Sequence, residues 1–198
     1  MFVVVCKRIK CIFAGNYKNK YVKIYAETER LILREITNED IYAMFELDSN
    51  PDVHKYLGNK PVKTIEESEK LIDAIKLQYS ERGIGRWAVI NKQTNEFMGW
   101  SGLRLYNENE SFNGYTNFYD VGYRFIPKFW GKGYATESGK AAIAYAFTTL
   151  KLKTVYGITD IDNAASHKAL LKIGLTYIED FYYEKENLML RWYKIEKI

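Results

Sequence analysis

The sequence is poor in the residues that build disulfide frameworks and metal sites. Its 198 residues include only two cysteines, Cys6 and Cys11, and two histidines, His54 and His167. A single possible cysteine pair near one end is not a disulfide framework, and no histidine stands beside a cysteine in a zinc-binding pattern. The sequence therefore predicts a protein of a reduced, cytoplasmic setting that holds no metal.

Long apolar runs are also lacking. The longest uninterrupted ones, residues 1–6 and 141–147, are far shorter than the roughly 20 residues that cross a bilayer. At the start of the chain the apolar run precedes the basic cluster, which is the reverse of a signal peptide. The sequence therefore predicts neither a membrane span nor a secretory signal.

Most of the chain also lacks an excess of charge of either sign. The chain has 29 basic and 25 acidic residues, but six of the basic residues and no acidic residue lie in residues 1–25. Residues 26–198 therefore carry 23 basic and 25 acidic side chains. A weakly acidic body argues against a nucleic-acid-binding surface. We expect a basic leader over residues 1–25, outside the fold, and one domain over residues 26–198.

Hydrophobic residues make up 47% of the chain, which is enough for one substantial core. Apolar periodicity and turn residues predict the order strand, two helices, three strands, helix, strand, helix, two strands. This order indicates one α/β domain. The predicted strands are 29–36, 86–91, 96–106, 118–126, 154–161, 177–184 and 187–194. Three predicted helices begin after Thr37, Thr64 and Gly133, and a fourth spans residues 163–173.

Two glycines, Gly131 and Gly133, lie between a predicted strand and a predicted helix. Glycine lets the backbone approach a ligand closely, and the first N–H groups of a helix are unpaired. Together they form a cradle for a phosphate or pyrophosphate, with Lys128 and Lys132 adding positive charge. On spacing alone, a tight structural turn is the alternative.

The segment Lys128-Phe-Trp-Gly131-Lys-Gly133-Tyr-Ala resembles the acyl-CoA pyrophosphate motif of the GNAT N-acetyltransferases. Asn163-Ala-Ala-Ser166, followed by Lys-Ile-Gly-Leu, resembles the next motif of that family. Val-Gly-Tyr before the glycines and Arg-Leu-Ile-Leu-Arg near residue 30 are similar to the ribosomal-protein-acetylating branch. The resemblance spans about residues 28–193. It implies a single α/β (α+β) domain whose mixed, mostly antiparallel central sheet is flanked by helices, with a splayed strand pair that holds acyl-CoA.

The resemblance also implies the activity, which is acetyl transfer from acetyl-CoA to an amine by direct attack on the thioester, and often a homodimer. The backbone edge of residues 123–126 would pair with the pantetheine arm, and the amides of 131–136 would hold the pyrophosphate. The residues expected to bind the co-substrate are Tyr123, Phe125, Ile126, Lys128, Gly131, Lys132, Gly133, Tyr134, Ala135, Thr136, Asn163 and Ser166.

Two positions depart from the family pattern. Lys128 stands where Gln or Arg is usual, and Leu170 stands where many relatives carry a tyrosine proposed as general acid. Ser166 is the candidate that replaces this tyrosine at the CoA sulfur. An amine must lose a proton before it attacks, and Asp120 or Glu184 could be the base. A water relay without a dedicated carboxylate is the third possibility.

The acceptor amine stays open at this stage. The branch resemblance favours a protein N-terminal α-amine; a small amine such as a polyamine, amino sugar, amino acid or antibiotic is the alternative. A CoA-binding module without activity is a third possibility, from a different class. His54 receives no role, and the aromatic residues that could line an acceptor groove are Phe112, Tyr115, Phe118 and Tyr119.

Overall fold

A computed structural model describes residues 22–197, together with the backbone pairing of residues 8 and 9. The other residues of the expected leader, including both cysteines, lie outside the described residues. None of the helices in the described part of the chain is long and apolar enough to cross a membrane.

The described chain forms one mixed sheet with helices packed against it. The strand order is β1-β2-β3-β4-β5-β6-β7-β9-β8, and every neighbouring pair is antiparallel except β6 and β7. The strands are β1 (Arg8–Ile9), β2 (Val22–Glu27), β3 (Leu31–Glu35), β4 (Arg86–Asn91), β5 (Phe97–Tyr106), β6 (Phe118–Phe125), β7 (Thr154–Asp160), β8 (Thr176–Tyr183) and β9 (Leu188–Glu196). The helices are α1 (Ile41–Asp48), α2 (Pro51–His54), α3 (Ile65–Arg82), α4 (Tyr134–Thr148) and α5 (Ala164–Ile173).

The helix boundaries follow from local capping chemistry. Thr64 precedes α3, and its hydroxyl accepts a hydrogen bond from the backbone N–H of Glu67. Asn163 precedes α5 and accepts from the N–H of Ser166 at 3.0 Å. Gly83 and Gly174 end these two helices with positive φ angles of 68° and 116°, which glycine adopts without strain. These caps explain why the helices begin and end close to the predicted positions.

The parallel strands β6 and β7 share a single residue pair, Asp120 with Tyr156. By contrast, β6 pairs with β5 along its whole length, from Tyr106 and Phe118 to Gly99 and Phe125. Beyond Asp120, the edge of β6 that faces β7 therefore has no strand partner among the described residues. This confirms the predicted α/β fold with a splayed strand pair at the centre of a mostly antiparallel sheet.

The sheet is longer at its start than the sequence predicted. Strand β2 pairs with β3, and it buries Tyr25, whose ring stacks on Trp87 with centroids 4.6 Å apart. Tyr145 of α4 meets both rings edge-on. Residues 22–25, which the sequence analysis assigned to the leader, are thus part of a core strand. The lysines around this strand conceal it, because their charges interrupt the apolar pattern. The short helix α2 was also missed.

Removing residues 1–21 and removing residues 1–25 should have different effects on stability. The longer deletion takes Ile24 and Tyr25 from the core, both buried. Loss of a buried aromatic side chain lowers the free energy of unfolding by about 3–5 kcal/mol, so this protein should unfold at much lower urea. The shorter deletion leaves the aromatic stack intact and serves as the control. Equal urea midpoints for the two proteins would contradict this prediction.

Candidate active site

One large cavity opens where β6 and β7 part, with a volume of about 760 Å³. Its walls come from β6, from the starts of α4 and α5, from the loop around α2 and from the turn between β8 and β9. This size is within the range of small-molecule and cofactor sites. Nine of the predicted site residues other than Asp120 line it: Tyr123, Phe125, Gly131, Gly133, Tyr134, Ala135, Thr136, Asn163 and Ser166.

The predicted glycine cradle has the geometry that an anion site needs. Gly131 and Gly133 have φ angles of 73° and 81°, and a β-carbon added at Gly131 would meet no atom within 4 Å. The turn therefore faces open space and not a packed neighbour. In the first turn of α4, the N–H of Glu137 bonds to the carbonyl of Gly133, which leaves the amides of residues 134–136 without an intrahelical acceptor. These amides border the cavity and fit a phosphate group.

An ion pair that the sequence analysis did not foresee holds this cradle. Arg30 donates from Nε to Glu137 at 2.6 Å and from Nη1 to the carbonyl of Lys132 at 3.1 Å. Thr28 donates to the other carboxylate oxygen of Glu137 at 2.5 Å. Burial works against the charged carboxylate, yet the hydrogen bonds from Thr28 and Arg30 hold the pKa of Glu137 below its ordinary value. Arg30, the first arginine of the Arg-Leu-Ile-Leu-Arg segment, thus fixes the start of α4.

The lysines that line the cavity are not the ones that the sequence predicted. Lys128 bonds to Glu96 at 2.7 Å and lies 3.4 Å from Glu46; the hydrogen bond with Glu96 raises the pKa of Lys128. Lys132 is also absent from the cavity wall. The lysines of the cavity wall are instead Lys55 and the pair Lys168 and Lys172, which are one helical turn apart on α5. The i, i+4 spacing of this pair in the second motif places both lysines on one face of α5, and this spacing is visible in the sequence.

Ile126 is buried in the core and does not line the cavity. Its neighbour Phe125 does, but the carbonyl of Phe125 already accepts a hydrogen bond from the indole of Trp130 at 2.6 Å. The edge available to a ligand is therefore shorter than the expected 123–126 and lies closer to Tyr123.

The start of α5 brings two predicted residues together. Asn163 caps the helix and also lines the cavity, as the resemblance implied that it could. Ser166 is half-buried in the first turn, and its hydroxyl oxygen lies 3.1 Å from the hydroxyl of Tyr123 on β6. Leu170, one turn further along, is 1% exposed and belongs to the hydrophobic core. The hydroxyl groups at this point of the cavity are therefore those of Ser166 and Tyr123.

Asp120 lies in the cavity wall but is not a free carboxylate. Nη2 of Arg86 contacts both of its oxygens, at 2.9 and 2.7 Å, and Nη1 donates to the carbonyl of Gly102 at 2.7 Å. The arginine crosses the sheet over Gly122, where an added β-carbon would lie 2.7 Å from the guanidinium. The glycine of Val-Gly-Tyr therefore makes room for this ion pair. Both oxygens of the Asp120 carboxylate are therefore already engaged by the guanidinium of Arg86.

Glu184, the other candidate base, is exposed in the turn between β8 and β9 and does not line the cavity. Glu186, two residues later, does line it, and its carboxylate approaches Gly58 in the loop after α2. Which acid of a hairpin turn faces inward depends on the turn conformation; here Asn187 has a φ angle of 56°. The sequence alone offered no signal to choose between the two.

The part of the cavity wall around Trp100 is aromatic, and its two arginines are already paired with carboxylates. Two guanidinium groups contact the ring of Trp100, with Arg86 and Arg124 at 5.4 and 5.0 Å from its centre. Arg124 donates to Asp48 at the end of α1, and this pair faces His54. Burial, and then the charge of Arg124, lower the pKa of His54. Aromatic residues complete this wall: Tyr106, Phe112 and Tyr183.

Of the aromatic residues proposed for the acceptor groove, only Phe112 lines the cavity. Its ring stacks on Tyr183 at 4.2 Å and meets Tyr106 edge-on at 5.2 Å. Tyr115 and Phe118 instead pack on Trp192, outside the cavity wall. Tyr119 packs against the main core.

Residues 30–176 match the model of the acetyltransferase (GNAT) domain, and the chain belongs to this family. It is 32% identical to the uncharacterised N-acetyltransferase YoaA of Bacillus subtilis, over 75% of this chain and 80% of that protein. It is 27% identical to spermidine N(1)-acetyltransferase of Escherichia coli K12, over 77% and 76%. The ribosomal-protein α-N-acetyltransferase RimL has the same fold, with a TM-score of 0.71 at 18% identity, over 94% and 99%.

A Gly131→Ala substitution should weaken CoA binding about tenfold. Alanine is strained at a positive φ, and its methyl group would project from the turn whose amides form the cradle. Isothermal titration of CoA into the protein measures the effect. Gly83→Ala is the matched control, because Gly83 has a similar φ of 68° and equally open surroundings but ends α3. If both variants bind CoA like the parent protein, the cradle is not the phosphate site.

An Asp120→Asn substitution should lower the free energy of unfolding by about 3 kcal/mol, because it leaves the poorly exposed guanidinium of Arg86 without its counter-ion. Urea unfolding measures this loss. Asp160→Asn is the control, since the carboxylate of Asp160 accepts from the N–H of Asp162 and an amide oxygen can do the same.

The same Asp120→Asn variant tests the base. If Asp120 only holds Arg86, the rise of kcat/KM with pH should keep the shape that it has in the parent protein. A flattened rise would identify Asp120 as the base.

Proposed function

We propose that this GNAT acetyltransferase moves the acetyl group of acetyl-CoA to a protein N-terminal α-amine. The observation that carries the proposal is the character of the cavity wall, which is not acidic. Four carboxylates line it, and five cationic side chains face them: Lys55, Arg86, Arg124, Lys168 and Lys172. A polyamine binds where carboxylates are in excess, so this wall disfavours a polycation.

The aromatic end of the cavity supports a peptide acceptor. Trp100, Tyr106, Phe112 and Tyr183 offer flat apolar surfaces, and nearby backbone and hydroxyl groups offer hydrogen bonds. Such a surface suits the first residues of an extended chain, because they carry one amine and need not carry any other charge. The 27% identity to a spermidine acetyltransferase keeps a small amine as the alternative acceptor.

The described residues also fit the co-substrate. The amides of residues 134–136, with Lys168 and Lys172 nearby, would hold the phosphates of CoA, and the free edge of β6 near Tyr123 would pair with the amide groups of its arm. Acetyl-CoA supplies an activated thioester. The amine nitrogen forms the new bond to its carbonyl carbon, the carbon–sulfur bond breaks, and the thiolate that leaves takes up a proton.

The proton of the attacking amine must pass to another group. Asp120 is bound to Arg86, and Glu184 lies outside the cavity wall. This geometry favours the water relay over either carboxylate, with Asp120 and Glu184 kept as the alternatives that substitution tests. The proposal retains the cytoplasmic location expected from the sequence. A homodimer also stays a prediction; Tyr177, Ile178 and Tyr182 are exposed on β8 and are candidates for its surface.

A panel of amines tests the acceptor directly. Release of CoA thiol from acetyl-CoA would be measured with peptides that have a free N-terminus, with the same peptides blocked at the N-terminus, and with spermidine. We expect kcat/KM for a free-terminus peptide to exceed that for spermidine at least about tenfold, which corresponds to 1.4 kcal/mol of transition-state binding. The blocked peptides, which keep their lysines, should be inactive.

The opposite order, with spermidine preferred, would identify a polyamine acetyltransferase. Tight CoA binding without turnover on any amine would instead favour the CoA-binding module. If acetyl-CoA does not bind at all, the whole proposal is wrong.

A further inference from the structure

The hydroxyl group of Tyr123 has no role in the family resemblance, which assigns only the backbone of this residue to the pantetheine arm. The side chain extends from β6 across the opening toward α5. Its oxygen lies 3.0 Å from the carbonyl of Ser166 and 3.1 Å from the hydroxyl of the same serine. Both residues line the cavity. The two hydroxyl groups thus form a pair that joins a strand to a helix inside the site.

We propose that Tyr123 is a positioning residue that makes the hydroxyl of Ser166 a hydrogen-bond donor to the sulfur of CoA. The inference rests on the proposed function, because it concerns the thiolate that leaves when the acetyl group is transferred. The reacting groups contact Ser166, and Tyr123 acts through that serine.

Counting donors and acceptors leads to this role. Tyr123 has one hydroxyl proton and two oxygens of Ser166 within reach. The carbonyl of Ser166 lies in α5 and has the intrahelical N–H of Leu170 as a second donor, so it does not depend on the tyrosine. The tyrosine proton has two acceptors within reach, the carbonyl and the hydroxyl oxygen of Ser166, and we assign it to the hydroxyl oxygen. The serine proton can then point away from Tyr123 and into the cavity.

A chain of two hydroxyl groups donates more strongly than one alone. When Ser166 donates to a negative sulfur, a hydrogen bond from Tyr123 to the serine oxygen polarises the serine O–H bond and strengthens the contact. Burial raises the pKa of Tyr123, which keeps its proton on the oxygen. The tyrosine is thus a lasting donor and does not itself protonate the thiolate. In the reaction, the electron pair of the broken carbon–sulfur bond stays on sulfur, and the thiolate takes its proton from solvent.

The position of the pair is consistent with this chemistry. Ser166 is in the first turn of α5, where the unpaired N–H groups of the helix favour a negative charge nearby. Leu170 on the same helix is apolar and packs over Gly157 of β7, so no hydroxyl comes from that position. The hydroxyl of Tyr123 contacts the side chain of Ser166 directly, from the opposite wall of the opening.

The test compares Tyr123→Phe, Ser166→Ala and the double variant in the full chain. The first readout is the pKa of the thiol of bound CoA, from the ultraviolet absorbance of the thiolate as pH is raised. Loss of either hydroxyl should raise this pKa, so that the thiolate fraction at a fixed pH below it falls about fivefold, as expected for one hydrogen bond. The double variant should show no further fall, because both residues act on one contact.

The second readout is turnover with saturating acetyl-CoA. Each single variant should lower kcat about fivefold, and the two effects should not multiply. Tyr119→Phe is the matched control: Tyr119 lies four residues earlier on β6, on the same face, and does not line the cavity. It should leave the thiol pKa and kcat at the parent values.

The outcomes separate this inference from the proposed function. If the parent protein binds CoA and turns over but Tyr123→Phe leaves the thiol pKa unchanged, Tyr123 has no part in positioning Ser166. A lower melting temperature without a change in the thiol pKa would show that its contacts are structural, and it would overturn the inference equally. If the parent protein does not bind CoA, the proposed function is wrong, and this inference is wrong with it.

Discussion

The departure of β6 from β7 after a single residue pair is the constraint on which the site depends. A parallel pair would normally continue its ladder, since buried backbone N–H and C=O groups need partners. Here Asp120 and Tyr156 begin the pairing and it stops. The free edge of β6, the glycine turn at its end and the start of α5 then all face one cavity. A ligand with its own amide groups could complete the ladder along this edge.

Ion pairs hold the elements that border this opening. Arg30 with Glu137 fixes the start of α4, Arg86 with Asp120 crosses the sheet, and Arg124 with Asp48 joins β6 to α1. Pairs that are poorly exposed add little net stability, because desolvation offsets their attraction, but they specify which element lies against which. Because the charges within each pair cancel, the cationic side chains of the cavity wall that lie outside these pairs are Lys55, Lys168 and Lys172.

The sequence was sufficient where the determinants are local. Glycines with positive φ, the cap at Asn163 and the change from strand to helical periodicity all act within a few residues, and the cradle and α5 were predicted from them. It was insufficient where a side chain chooses a distant partner. Lys128 turns to Glu46 and Glu96, and Asp120 meets an arginine 34 residues away. The first residues of β2 were assigned to the leader for a similar reason, because the buried Tyr25 is stabilised by Trp87 and Tyr145 and not by its own basic surroundings.

The apolar residue at position 170 also becomes intelligible in the fold. Leu170 fills the narrow space over Gly157, where a β-carbon on the glycine would lie 3.0 Å from the leucine side chain. A tyrosine there would need this packing to be rebuilt. Tyr123 reaches the same helix from the opposite side of the opening and brings a hydroxyl group to Ser166 without disturbing the contact between α5 and β7. Although α5 carries no tyrosine, the site therefore still has two hydroxyl groups. The leucine at position 170 is thus only a weak argument for a protein without catalytic activity.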